Sequence, residues 1–187
     1  MPLCVRRSIT RSSRSREVVL PIMLRALEPE DADLLYVWEN DPETWLAGSR
    51  RWPISLADIK ALIDHSDLDI WQTRQTRFMI DREGSRETVG CVDIFDFDPL
   101  NMHCSVGVLI KPSARRQGFA RQAVERVCEF AATTLCVRSV LATVAADNVA
   151  SLALFGSAGF VQVGRLSGWV RCGERYVDEV LFQKSLS

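Results

Sequence analysis

Arg115, Arg116 and Gly118 carry the first chemistry legible in the chain. They lie between an apolar run, Val106 to Ile110, and a long amphipathic segment that opens at Phe119. The run reads as a buried strand, and Lys111-Pro112-Ser113 breaks it because proline cannot donate to a ladder. A strand, a basic glycine-bearing loop and a helix start together make an anion site. The first amides of a helix have no partner inside it, and the helix dipole there favours negative charge. Gly118 lets backbone approach a phosphate closely, while the arginines add charge. Spacing narrows the kind of phosphate. Neither Gly-x-x-x-x-Gly-Lys-Ser/Thr nor Gly-x-Gly-x-x-Gly is present, so the usual nucleotide loops are unsupported. Asp93 is a second candidate: a carboxylate inside an apolar strand is unusual and open to desolvation. A hydrogen-bonded structural carboxylate, or one on a solvent face, is the alternative at this point.

Elements to position these groups follow in order. Leu24-Arg25-Ala26-Leu27 reads as a first strand. Pro29 suits a helix start, with Glu30 and Asp31 in the favourable first turn. Asp41-Pro42 ends that helix, and Ser55-x-x-Asp58 starts a second one carrying Ile59, Leu62 and Ile63. Between them Trp45, Arg50, Arg51 and Trp52 suit either a substrate lid or a loop pinned to the core by its tryptophans. Arg77 to Asp81 and Thr88 to Phe97 form a hairpin across Glu83-Gly84-Ser85. Asp96 and Asp98 lie near its end. A strand from about Met102 leads into the basic loop. The next helix carries Ala120, Ala123, Val124, Val127, Ala131 and Leu135 at helical spacing. Ser139 to Val144 is a strand, Asn148 caps a helix through Ala158, and Gly159 fits its C-terminal turn. A hairpin about Cys172-Gly173-Glu174 closes the chain. The order β-α-α-β-β-β-α-β-α-β-β predicts a mixed sheet with helices on both faces.

The 187 residues suit one domain with a sizeable core. No apolar run approaches the ~20 residues of a membrane span. Six cysteines without Cys-x-x-Cys pairs, and only two histidines, His65 and His103, give a metal site little support. Reduced thiols in a cytoplasmic protein are the expectation. Residues 1–22 hold five arginines against Glu17, a net +4, which leaves −5 on the rest of a chain of net charge −1. That segment lacks the apolar core of a secretory signal. It is read as an extension ahead of a domain over residues 23–187, with a transit peptide or a nucleic-acid arm as open alternatives. The acidic body suits a cationic amine better than a nucleic acid.

Arg115-x-x-Gly118-x-Ala120 resembles the acyl-CoA pyrophosphate loop, Gln/Arg-x-x-Gly-x-Gly/Ala, of the GNAT superfamily of N-acetyltransferases. Downstream, Asn148-x-x-Ser151-x-x-Leu154-Phe155-x-x-x-Gly159-Phe160 resembles a second family signature, Asn-x-x-Ala/Ser-x-x-Leu-Tyr-x-x-x-Gly-Phe. The likeness covers Met23 to Leu186. It is nearest to spermidine N-acetyltransferases and ribosomal-protein N-terminal acetyltransferases, through Val92 to Asp98 and Arg175 to Asp178.

The resemblance implies the α/β GNAT fold: a mixed central sheet of about seven strands, with a splayed parallel pair near Val108–Ile110 and Leu141–Val144. Acetyl-CoA is the implied co-substrate, its pantetheine arm lying between those strands like a peptide added to a sheet edge. The implied contacts are Val108, Leu109 and Ile110 on the strand, Arg115, Arg116, Gln117, Gly118, Phe119 and Ala120 in the loop, and Asn148, Ser151 and Phe155 beyond. Asn148 also reads as a helix cap, and Phe119 as core. No metal is expected. The implied acceptor is a primary amine: a polyamine, a protein N-terminus or an amino sugar. Its ammonium, with a pKa near ~10, must lose a proton before it attacks, and Asp93 is the candidate base. A strand amide among Val108 to Ile110 would receive the oxyanion.

Two departures qualify this. Ser105 stands where the polyamine enzymes carry a carboxylate, and Phe155 stands where the motif has its Tyr proton donor; His103 is another titratable group. An acyl-CoA-binding module without turnover is therefore the alternative function. Nucleic-acid and membrane partners are not expected, and self-association through edge strands is implied.

Overall fold

The computed structural model describes residues 21–42, 44, 52–65, 69–85 and 87–186. The expected extension, apart from its last two residues, and Trp45, Arg50 and Arg51 of the proposed lid lie outside the described residues. The strands are β1 (Ile22–Arg25), β2 (Thr76–Arg82), β3 (Glu87–Asp98), β4 (His103–Ile110), β5 (Ser139–Ala145), β6 (Val161–Cys172) and β7 (Arg175–Ser185). The helices are α1 (Ala32–Glu39), α2 (Leu56–Asp64), the one-turn α3 (Ile70–Thr73), α4 (Phe119–Thr133) and α5 (Val149–Ser157). The strands form one mixed sheet in the order β1-β2-β3-β4-β5-β7-β6. Only β4 and β5 run parallel. This is the expected α/β GNAT architecture.

Alternation along the strands sorts side chains onto two faces. Val92, Ile94, Val106, Val140, Ala142, Val180 and Phe182 point to one face and pack with Val124 and Val127 of α4 and Phe155 of α5. Met79, Cys91 and Leu109 point to the other and pack with Leu35 and Trp38 of α1 and Ile59 and Ile63 of α2. Helix starts follow local chemistry: Ser55 accepts from the Asp58 amide at 3.0 Å, and Asn148 accepts from the Ser151 amide at 3.1 Å. The missed helix α3 has the same signature, Asp69 accepting from the Trp71 amide at 3.0 Å.

β1 begins two residues before the expected Leu24. Ile22 is buried at 1% exposure, so the core claims it. The Arg25 side chain meanwhile turns to two carboxylates, Asp31 and Asp81. Pro29–Asp31 is a 3₁₀ turn that feeds α1 rather than the start of α1 itself. Gly90 sits so close to β4 that a Cβ there would overlap the Leu109 carbonyl oxygen. Among the described residues no helix is long and apolar enough to cross a membrane, and no group of three His, Cys, Asp or Glu could hold a metal.

The described thiols behave as core groups or surface groups according to depth. Burial pushes Cys91 and Cys104 up to about 12 and Cys128 up to about 11, whereas Cys136 is exposed. Since the thiolate is the nucleophile, iodoacetamide at pH 8 should modify Cys136, and Cys172 more slowly. Cys91, Cys104 and Cys128 should stay unmodified until the chain is denatured. Peptide mass mapping checks this.

Candidate active site

β4 and β5 pair at His103, Cys104 and Ser105, and the last rung is Ser105 against Leu141. Both strands continue beyond it, to Ile110 and Ala145, each held only by its other neighbour: β4 by β3, β5 by β7. The strands therefore part, and a cleft opens with Ser105 at its vertex. Backbone groups alternate between the two sides of a strand. The Leu109 carbonyl is directed at β3, against Gly90, so Val108 and Ile110 turn their amides and carbonyls toward the cleft. The Ile110 carbonyl accepts from Arg115 Nε at 3.2 Å instead of from a strand. An extended chain bearing amides fits such an edge.

The basic loop closes the wide end of this cleft. It is anchored by Ala114, 3% exposed, and Phe119, 2% exposed, while Arg115, Arg116, Gln117 and Gly118 between them are exposed. Arg116 (φ 62°) and Gly118 (φ 80°) both adopt the left-handed conformation. Alternation of this kind turns successive N–H groups into a concave anion nest. α4 follows with no side-chain cap and no acidic residue in its first turn, so its positive end is uncompensated. Loop and helix start fit a diphosphate. The Phe119 ring is core, and Ala120 is half-buried. Asn148 caps α5, with its Oδ1 committed to the Ser151 amide.

Three expected side-chain roles change. The Phe155 ring is core, 4% exposed, meeting Phe160 edge-on at 5.2 Å and stacking on Phe182 at 6.3 Å. It supports α5 against the sheet rather than lining an open surface. Asp93 is not a free base. Arg77 Nε and Nη2 donate to its two oxygens at 2.7 and 2.8 Å, and Arg77 Nη1 donates to Glu39 at 2.6 Å. Asp93 does stand beside the cleft, since its strand partner is Gly107. His103 lies at the closed end, 3.6 Å from Asp98, four residues and about 13 Å along the strand from Gly107.

Asp96 is exposed at a bulge. Asp98 ties a turn, accepting from the Leu100 and Asn101 amides at 2.8 and 3.0 Å and from the Asn101 side chain at 2.8 Å. Bonds from Asn101 hold its carboxyl below the usual range. Asn40 donates to the Ile54 carbonyl at 3.0 Å and accepts from its amide at 2.9 Å. It thereby joins the end of α1 to the approach of α2, next to the Glu39-Arg77-Asp93 cluster.

A cleft of free strand amides ending at an anion nest can hold an extended acyl carrier with a diphosphate at one end. Against known families, the Acetyltransferase (GNAT) domain matches residues 22–161. The chain belongs to this family. It is an acyltransferase of the N-acetyltransferase type. This GNAT domain is 25% identical over 162 residues to an uncharacterized N-acetyltransferase, p20, of Bacillus licheniformis, covering 86% of this chain and 90% of the relative. It is 24% identical over 157 residues to the spermidine N(1)-acetyltransferase of Vibrio cholerae, covering 84% and 88%. A crystal structure of the Vibrio cholerae spermidine N-acetyltransferase in complex with CoA and spermine superposes with a TM-score of 0.80 at 22% identity, covering 88% of this chain and 95% of that one. A dodecameric structure of the same Vibrio enzyme gives 0.75 at 21% identity, covering 88% and 93%.

Proposed function

We propose that this GNAT domain transfers the acetyl group of acetyl-CoA to a primary amine by direct attack. The parting of β4 from β5 beyond Ser105 and Leu141, above an uncapped α4 start, carries the reading. Arg115, Arg116 and the amides from Gln117 to Ala120 hold the diphosphate. Val108, Leu109 and Ile110 form the strand along which the arm lies, with Asn148 and Ser151 at the facing helix. Acetyl-CoA supplies a thioester whose carbonyl is the electrophile. A cleft-facing N–H, from Val108 or Ile110, donates to the oxygen that gains charge during attack. The departing thiolate, with an ordinary pKa near ~8.5, leaves without needing the phenol that Phe155 replaces. The amine reaches the cleft as an ammonium and gives up its proton to water or to a carboxylate not already committed. Polyamines come first among acceptors, because spermidine stands in the name of one relative and of the solved structures that superpose.

Full-length protein mixed with acetyl-CoA and, in turn, spermidine, glucosamine and a Ser-led tetrapeptide should release free CoA thiol with at least one of them. Calorimetric CoA binding without turnover on any amine would mark an acyl-CoA-binding module instead. No CoA affinity would remove the reading altogether.

A further inference from the structure

α4 and α5 pack on the face of β5 and β7 that carries Val140, Ala142, Val144, Val180 and Phe182. The residues between these point to the opposite face. Register pairs Ala145 with Glu179, Thr143 with Leu181 and Leu141 with Gln183 there, without a shift. α1 and α2 reach this second face only over β2, β3 and Leu109. Among the described residues no helix belongs to the β5–β7 part of it, where Thr143 is exposed and Leu141, Ala145, Glu179 and Leu181 are half-buried. This open floor borders the cleft, since Leu141 pairs with Ser105 at the vertex.

Glu179 is the anomaly on that floor. Its strand neighbours are Ala145 on one side and Leu166 on the other, with Val177 and Leu181 two residues away along β7. Its carboxylate has no hydrogen bond or ion pair among the described residues. Asp31, Asp81, Asp93 and Asp178, which are also withdrawn from full exposure, are each held by an arginine. A carboxylate half removed from water amid aliphatic side chains costs stability unless a cation meets it. Across the cleft Arg77 already takes both Asp93 and Glu39. Glu179, whose partner Ala145 lies on the β5 side of the cleft, is an uncommitted negative charge on this floor among the described residues.

We propose that Glu179 receives, by a charge-assisted hydrogen bond, an ammonium group of the acceptor other than the amine that reacts, and so selects acceptors that carry a second positive charge. This rests on the acetyl-transfer reading and names the residue that orients its second substrate. The test uses full-length protein, acetyl-CoA and spermidine, which keeps positive amines besides the one that reacts. Glu179→Gln keeps the shape and removes the charge. It should raise KM for spermidine at least about tenfold, the effect of one charge-assisted bond. KM for acetyl-CoA should stay within about twofold, and Glu179→Asp should fall between variant and wild type. An unchanged spermidine KM in Glu179→Gln, or a CoA affinity that falls in parallel, overturns the assignment. Turnover of glucosamine or the tetrapeptide without any turnover of spermidine also overturns it. If wild-type protein binds CoA but turns over no amine, the acetyl-transfer reading fails first. That outcome is distinct, because it appears before any variant is made.

Discussion

Gly118→Val is expected to lower calorimetric CoA affinity by about 100-fold or more in a chain that still folds. Gly118 is the residue before α4 and stands at φ 80°, a conformation that is a genuine outlier for a β-branched side chain. A valine either bears the strain, about 1–2 kcal/mol or more, or rotates the peptide and turns the nest amides away. A domain with ordinary stability of ~5–15 kcal/mol survives the first. Binding does not survive the second. Each hydrogen bond to a charged group is worth about 1.5–3 kcal/mol, and losing two corresponds to roughly two decades or more. Gly118→Asn separates backbone from bulk, since asparagine enters the left-handed region readily. It should keep the loop and lose less affinity than the valine. Unchanged affinity in Gly118→Val would remove the loop from the binding site.

That loop was legible because its determinants are local. Pro112 stops a strand, Gly118 permits a left-handed turn, and both sit within a few residues of the helix they introduce. Asn148 and Gly159 delimit α5 in the same way. Phe155 was legible as a departure from the family motif, but its burial against Phe182 depends on how α5 lies on β7, which no local pattern states. Asp93 shows how non-local register decides chemistry. Near the turn the hairpin pairs Asp81 with Thr88, and continued without interruption this would set Arg77 opposite Val92. A register shift between Ile80 and Asp81 leaves Val89 over and moves Arg77 opposite Asp93 instead. One extra residue thus converts an apparent buried base into half of an ion pair, and nothing in the strand's composition announces it. Glu179 was read as part of a closing strand, and alternation with Val180 and Phe182 gives its face. Its place beside the cleft comes from β7 returning to pair with β5, a contact formed across more than thirty residues of chain.

Arg25→Met is expected to cost about 3 kcal/mol of stability, with acetyl transfer per folded molecule little changed. Arg25 Nε donates to Asp81 at 2.8 Å, and its two terminal nitrogens donate to Asp31 at 2.7 and 2.8 Å. Thr88 Oγ completes the cluster by donating to Asp81 at 2.8 Å. Asp31 and Asp81 are 5% and 7% exposed, so methionine would strand two buried carboxylates. Breaking a buried pair in this way costs about 3–5 kcal/mol. Arg25 keeps 26% of its side chain in solvent, which places the expectation at the low end. For a chain of this size that lowers Tm by roughly 6–12 °C. The pH dependence identifies the cause. Burial, the largest influence, pushes the Asp31 carboxyl up, but hydrogen bonds from Arg25 and the Glu28 amide outweigh it and hold it below its usual 3.8. The unfolded chain therefore takes up this proton first on acidification, and stability falls with pH. The contribution is fully present above the usual value and is lost as pH drops through the lower folded one. Urea unfolding at pH 7 should show the full difference between wild type and Arg25→Met, and at pH 3 a smaller one. An equal difference at both pH values would mean that the methionine acts through packing rather than through the charges of Asp31 and Asp81.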